Sequence, residues 1–223
     1  MPGWTTTPHN TTTATATGST STITFTVTST TANDFGIVAI GILASAFGTW
    51  TVPSGWTLVD QFNVSGIVTA IFLANKLQPG VTSLAFTTTN VTTDACGIYA
   101  CWSQATLGLD GPASAHGTTT PLPTVSTANM AKNGALGIWV GTVANTTAPG
   151  NPTGTGTWTS VNTVDAATVI GMRMSCQLGV AAGSKYTASG STGPAIGNDT
   201  VFITGLDPTV GFPIDAPASI TRP

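Results

Sequence analysis

Threonine occupies 46 of the 223 positions of this chain, and glutamate none. A β-branched side chain is restricted in a helix and packs well on a pleated surface. With this much Thr and only five Lys plus Arg, a helical bundle lacks its usual surface helix formers. The core must therefore come from strands. Charged residues make up 6%, against roughly 25% in ordinary soluble domains. Five scattered cations cannot neutralise many phosphates, which excludes nucleic acid as a main partner. Low charge and a positive mean hydropathy exclude a disordered acidic tail. The most apolar run, Phe35 to Phe47, has 13 residues, short of the ~20 that a membrane-spanning helix needs. No membrane partner is expected. The opening MPGWTTTPHN has neither the basic nor the apolar region of a signal peptide, so synthesis in the cytoplasm is expected.

The clearest strand is Thr22 to Thr28, where Ile23, Phe25 and Val27 alternate with Thr. That period of two puts the apolar residues on one face. Phe35 to Phe47 is apolar on both faces. Its length would suit a buried helix, but its β-branched and Gly content favours a central strand. Further strands are expected at Trp56–Phe62, Ile67–Lys76, Ser83–Thr89, Ala95–Ser103, Ala135–Val143, Trp158–Val164, Thr168–Leu178, Lys185–Ser189 and Thr200–Leu206. Turn signals such as Pro53-Ser54-Gly55, Gln78-Pro79-Gly80 and Asn133-Gly134 separate them. About eleven short strands predict an all-β two-sheet sandwich or jelly roll.

The halves echo each other at a period of about 100 residues. GIVAIGILASAF matches ALGIWVGTV, Trp56 matches Trp158, and Pro79-Gly80 matches Ala182-Gly183. Asp60 and Asp165 are candidate counterparts. Two related halves, about 22–109 and 124–206, are expected to pack face to face as one sandwich spanning 22–206. Asp110 to Pro123 would be the crossover. Residues 1–21 are Thr, Ser, Ala and Gly with Trp4 as the one anchor, and predict an extended N-terminal arm. Trp4 would dock on a partner, against the alternative of a free tail. Residues 207–223 carry four prolines and predict a second extended arm. Cys96 and Cys101 lie an odd number of residues apart in one strand and so on opposite faces, where they cannot bridge. With Cys176 they read as reduced, buried thiols.

The motifs PSGWTL, AIFLANKL, QPGVTSLAFT and TTTPLPTVSTA, with an NGAL turn and strand, resemble a β-sandwich module of bacteriophage virion structural proteins. Related modules occur in some large bacterial surface proteins. The residues that carry the resemblance are Pro53, Gly55, Trp56, Pro79, Gly80, Asp110, Pro112, Pro121, Pro123, Thr124, Val125 and the Asn133-Gly134 turn, within about 35–207. The chain departs from the pattern where Trp102-Ser103-Gln104 replaces the usual Tyr-x-Gly. The resemblance implies a decoration, head-fibre or tail-fibre role at the virion surface. Its partners would be major capsid or tail proteins and copies of the same chain, with a trimer favoured. It brings no catalytic residues.

The residues themselves offer little chemistry. His116, Asp110 and Ser114 share a Gly- and Thr-rich segment that lacks the rigid scaffold a triad needs. The eight Asp are spread singly, where a glycosidase needs a carboxylate pair, and Asp beside a strand is a turn former. No metal-binding spacing or cofactor motif occurs. No catalytic, metal or cofactor residue is therefore assigned. Met172 and Met174 should face inward, with Arg173 outward. Trp50, Trp56, Trp139 and Trp158 lie near strand ends and are candidate platforms for stacking a host glycan, against the alternative of core packing. The leading expectation is a non-enzymatic capsid decoration (cement) protein. The alternative is a tail-fibre or head-fibre adhesin.

Overall fold

A computed structural model describes residues 4–208 apart from 29, 32, 65, 104–105, 118–121, 146, 166–169 and 191–198. The described chain is all-β, with fourteen strands rather than about eleven. The first half holds β1 (Asn10–Thr26), β2 (Phe35–Leu43), β3 (Trp50–Thr51), β4 (Thr57–Val64), β5 (Ile67–Ala74) and β6 (Ser83–Trp102). The second holds β7 (Thr106–Gly117), β8 (Val125–Ser126), β9 (Ala135–Val143), β10 (Thr153–Gly154), β11 (Thr159–Asp165), β12 (Gly171–Val180), β13 (Thr187–Ser189) and β14 (Asp199–Pro208).

A six-stranded sheet, in which β3 pairs with β6 off the main path, and a five-stranded sheet share one five-strand order. One runs β1-β6-β2-β5-β4 and the other β7-β14-β9-β12-β11, antiparallel throughout. The central strands β2 and β9 are the expected apolar runs, buried along nearly their whole length. Between the sheets lies the largest core cluster, with Phe35, Ile37, Ile98 and Trp102 from one and Ile138, Val140, Met174 and Phe202 from the other. Met172 and Met174 face this core. Arg173 faces away, donating to the Pro149 carbonyl oxygen at 2.6 Å and to Ser160 Oγ at 2.9 Å.

Each half also covers the outer face of its own sheet. In the first, β1 and β6 are long strands that bend. The N-terminal part of β1 pairs with Asp94–Cys101, while Thr22–Thr26 pairs with Ser83–Thr87 across register shifts at Thr17/Thr20 and Thr20/Thr22. Extra residues in a strand increase its twist and bend it. The bend lays Phe86 of β6 over Phe72 of β5, with ring centroids 4.8 Å apart, although β2 lies between those strands in the sheet. Ile23, Phe25, Phe86 and Trp56 thereby close a second core over Val38, Ile40 and Val68. In the second half a separate sheet, β10-β13-β8, does the same and encloses Trp139, Trp158 and Tyr186. The two main sheets thus pack face to face as the expected sandwich, and each half adds a further layer over its outer face.

The repeat extends to details. β4 and β11 each carry a register shift, at Leu58/Asp60 and Ser160/Asn162. The next residue's N–H donates to Asp60 Oδ1 in one and to Asn162 Oδ1 in the other, both at 2.8 Å. Asp60 is therefore the counterpart of Asn162, not of Asp165. Gly80 and Gly183 hold matching left-handed turns (φ 77° and 80°), a conformation that favours Gly.

Two segments differ from expectation. Residues 10–21 of the expected arm are an edge strand, because β1 is held by backbone hydrogen bonds to β6 rather than by apolar anchors. Asp110–Gly117, expected as crossover, belongs to β7, an edge strand where Pro112 is tolerated. Of the expected C-terminal arm, residues 209–223 lie outside the described residues.

Candidate functional site

The candidate aromatic platforms are core residues. Trp139 is fully buried, and Trp56 and Trp158 are 6% and 4% exposed. Trp50 is half-buried, edge-on against Phe72 at 5.2 Å. Stacking a sugar needs an open ring face, and these faces are taken by protein. A recess of about 220 Å³ opens beside Trp56, Pro53 and Gln78, but the ring itself packs on Phe86 and Tyr99. Trp4 is not free to meet a partner either. It lies edge-on to Phe35 at 4.8 Å, and Phe35 stacks on Trp102 at 5.1 Å.

The candidate triad does not assemble. Asp110 is buried, and its carboxylate accepts the Ala131 N–H at 2.7 Å, while Ser114 and His116 on β7 are exposed. Asp165 likewise accepts the Ala148 N–H, at 2.5 Å. These carboxylates fix local backbone, as expected for Asp beside strands.

A cluster that sequence reasoning missed joins His9, Asp34 and Cys101. His9 Nδ1 lies 2.8 Å from Asp34 Oδ2, and the three ligand atoms lie within 4.8 Å of one another. Asp34 also accepts the Thr31 N–H at 3.3 Å. The His9 N–H donates to the Cys101 carbonyl oxygen at 2.7 Å. An imidazole, a carboxylate and a thiolate would suit a divalent zinc-like ion. Burial pushes the Cys101 thiol above its ordinary range. The cluster acts as a clasp between the first residues and the turn into β2.

The other thiols are equally shielded. Burial pushes Cys176 up to about 12 and raises Cys96 further. Cys96 lies in the central core and Cys101 in the outer one, on opposite faces as expected. A thiol-specific reagent at pH 8 should leave all three cysteines unmodified in the folded protein and modify three after denaturation.

The exterior has its own pattern. Thr22, Thr87 and Thr51 stand in register across three strands, and Thr22 Oγ1 and Thr87 Oγ1 are 2.9 Å apart. The second half repeats this with Ser126 to Thr187 at 2.8 Å and Thr124 to Ser189 at 2.9 Å. These rows are hydroxyl without charge. At one end of the first half, Phe47 and Val91 are 58% and 67% exposed. The residues that precede them are joined, Asn90 Nδ2 donating to the Ala46 carbonyl oxygen at 2.6 Å. Elsewhere a cleft of about 480 Å³ lies between β4 and β7, with Val59, Leu73 and Leu109 inside and Thr57, Asn75 and Lys76 at its rim.

No family model, curated protein or solved structure matches the chain. The functional reading therefore rests on this geometry and on the sequence resemblance. Among the described residues the geometry offers uncharged hydroxyl rows, the exposed Phe47 and Val91, the recess beside Trp56 and the cleft between β4 and β7.

Proposed function

We propose that the chain is a non-enzymatic structural protein of a bacteriophage virion, an outer-capsid decoration protein that stabilises the shell by protein–protein contacts. The observation that carries this reading is the placement of the aromatic residues. The candidate stacking rings are packed inside, while Phe47 and Val91 stand exposed on an exterior of Ser and Thr. A glycan-binding adhesin would need the reverse. An apolar pair framed by neutral hydroxyls docks on another protein with little charge to desolvate. Binding only to the assembled shell would stabilise that state by mass action.

Antibody labelling of purified particles, viewed by electron microscopy, tests the assignment. Label over the whole shell is expected. Label at a tail or fibre tip would favour the adhesin, and no label on any particle would remove the virion reading. The double variant Phe47→Ser, Val91→Ser should lower occupancy on particles at least tenfold. Its unfolding free energy should stay within about 0.5 kcal/mol of the parent, as for surface substitutions. Unchanged occupancy would show that this pair is not the docking surface.

A further inference from the structure

The face-to-face packing of the two sheets gives the central core two corners related by the internal repeat, and they are filled differently. At the first corner the chain's opening residues lie across β12. Trp102 Nε1 donates to the Thr5 carbonyl oxygen at 3.0 Å and Cys176 Sγ to that of Thr6 at 3.1 Å, with Trp4 in the core. The strand registers identify the matching positions. Cys176 pairs with both Thr159 and Ile138, and Leu73 pairs with both Thr57 and Ile37. Thr57 and Leu73 are walls of the 480 Å³ cleft. The cleft is thus the repeat counterpart of the place covered by residues 4–8. At this corner β7 follows β6 after residues 103–105 alone, so no comparable length of chain precedes it.

A different segment reaches the spot. β14 ends at Pro208, which pairs with Thr106, two residues before Gly108 in the cleft wall. Fifteen residues follow, 209–223, a reach of up to ~50 Å at ~3.3 Å per residue. Val210, Phe212 and Ile214 alternate along it, with Pro213 and Pro217 among them. Proline fixes φ and lowers the entropy lost on ordering an extended segment. The sequence of this segment includes Asp215, opposite in charge to Lys76 at the rim. The cleft volume lies within the ~300–1,000 Å³ typical of binding sites.

We propose that this cleft is a binding site for an extended, apolar, proline-containing segment. Its occupant is the chain's own residues 209–223, with Phe212 as the counterpart of Trp4. Two measurements on the full-length chain test this. In the variant Phe212→Ser, Ile214→Ser, amide hydrogen exchange should rise about tenfold at Thr57–Asp60 and Gly108–Asp110 and stay unchanged in β2 and β9. Equal exchange in parent and variant would overturn the proposal. In the variant Asn75→Cys, Ile214→Cys, mild oxidation should give an intrachain disulfide that runs as a monomer on a non-reducing gel. The buried native thiols do not compete. A cross-linked dimer would assign the cleft to a neighbour's segment and overturn the intrachain assignment. No cross-link would overturn the site itself.

Discussion

Trp4→Ala is expected to destabilise the fold by ~3–5 kcal/mol, the range for emptying a buried Trp site. For a chain of this length that is a fall in Tm of about 10 °C. The size of the effect follows from where the ring lies. Trp4 is 7% exposed, packs on Phe35 and closes one end of the core between the two sheets. Phe35 and Trp102 lose a neighbour, and no described side chain is placed to refill the space. Thermal or urea unfolding of the purified variant measures it. A change under 1 kcal/mol would return residues 4–9 to the status of a detachable arm. Deleting residues 1–20 goes further, because it removes the His9 clasp and the β1 residues that pair with β6. Loss of folding is expected there, rather than a folded sandwich with weakened attachment.

Residues 10–21 read as an arm in the sequence for a physical reason. Residues 5–21 hold no large apolar side chain, and apolar periodicity is the main strand signal. An edge strand needs only backbone partners on one side, and β6 supplies them without leaving a mark in β1. β7 was hidden similarly, since DGPASAHG reads as turn chemistry although Gly and Pro are admissible at an edge. The single strand Ser83–Trp102 reads as two because its Asn and Thr cluster looks like a break. It is a bend, and the bend covers the outer face of the first half, where the second half uses the separate sheet β10-β13-β8. What alternation and apolar runs encode directly was legible: β2, β5, β9 and the Met172/Arg173/Met174 faces. The repeat is legible through Trp56/Trp158 and Gly80/Gly183, but not through Asp60, because its counterpart at the Trp56/Trp158 spacing is Asn162, a different residue type. The His9–Asp34–Cys101 clasp left no signal, since its members come from three separate segments and only the fold joins them. The cleft likewise depends on how β4 and β7 meet across two sheets.

Trp56→Ala is the second large effect, again ~3–5 kcal/mol. The ring fills the outer core of the first half against Phe86 at 5.4 Å, and a Cβ added at Gly36 would meet its Cη2 at 2.7 Å. The same ring was a candidate glycan platform, so stability and glycan binding should be measured on one variant. A near-neutral melting shift with lost glycan binding would favour the adhesin. Trp56 also tests the architecture. Its counterpart Trp158 belongs to the outer core of the other half, with both main sheets between them. Substitutions without shared partners add to within about 0.5 kcal/mol, whereas residues in one core couple by ~0.5–3 kcal/mol. The milder pair Trp56→Phe and Trp158→Phe keeps both single variants and the double folded. Their losses should sum. A coupling above 1 kcal/mol would mean that the two outer cores are not independent but communicate through the central core between the sheets.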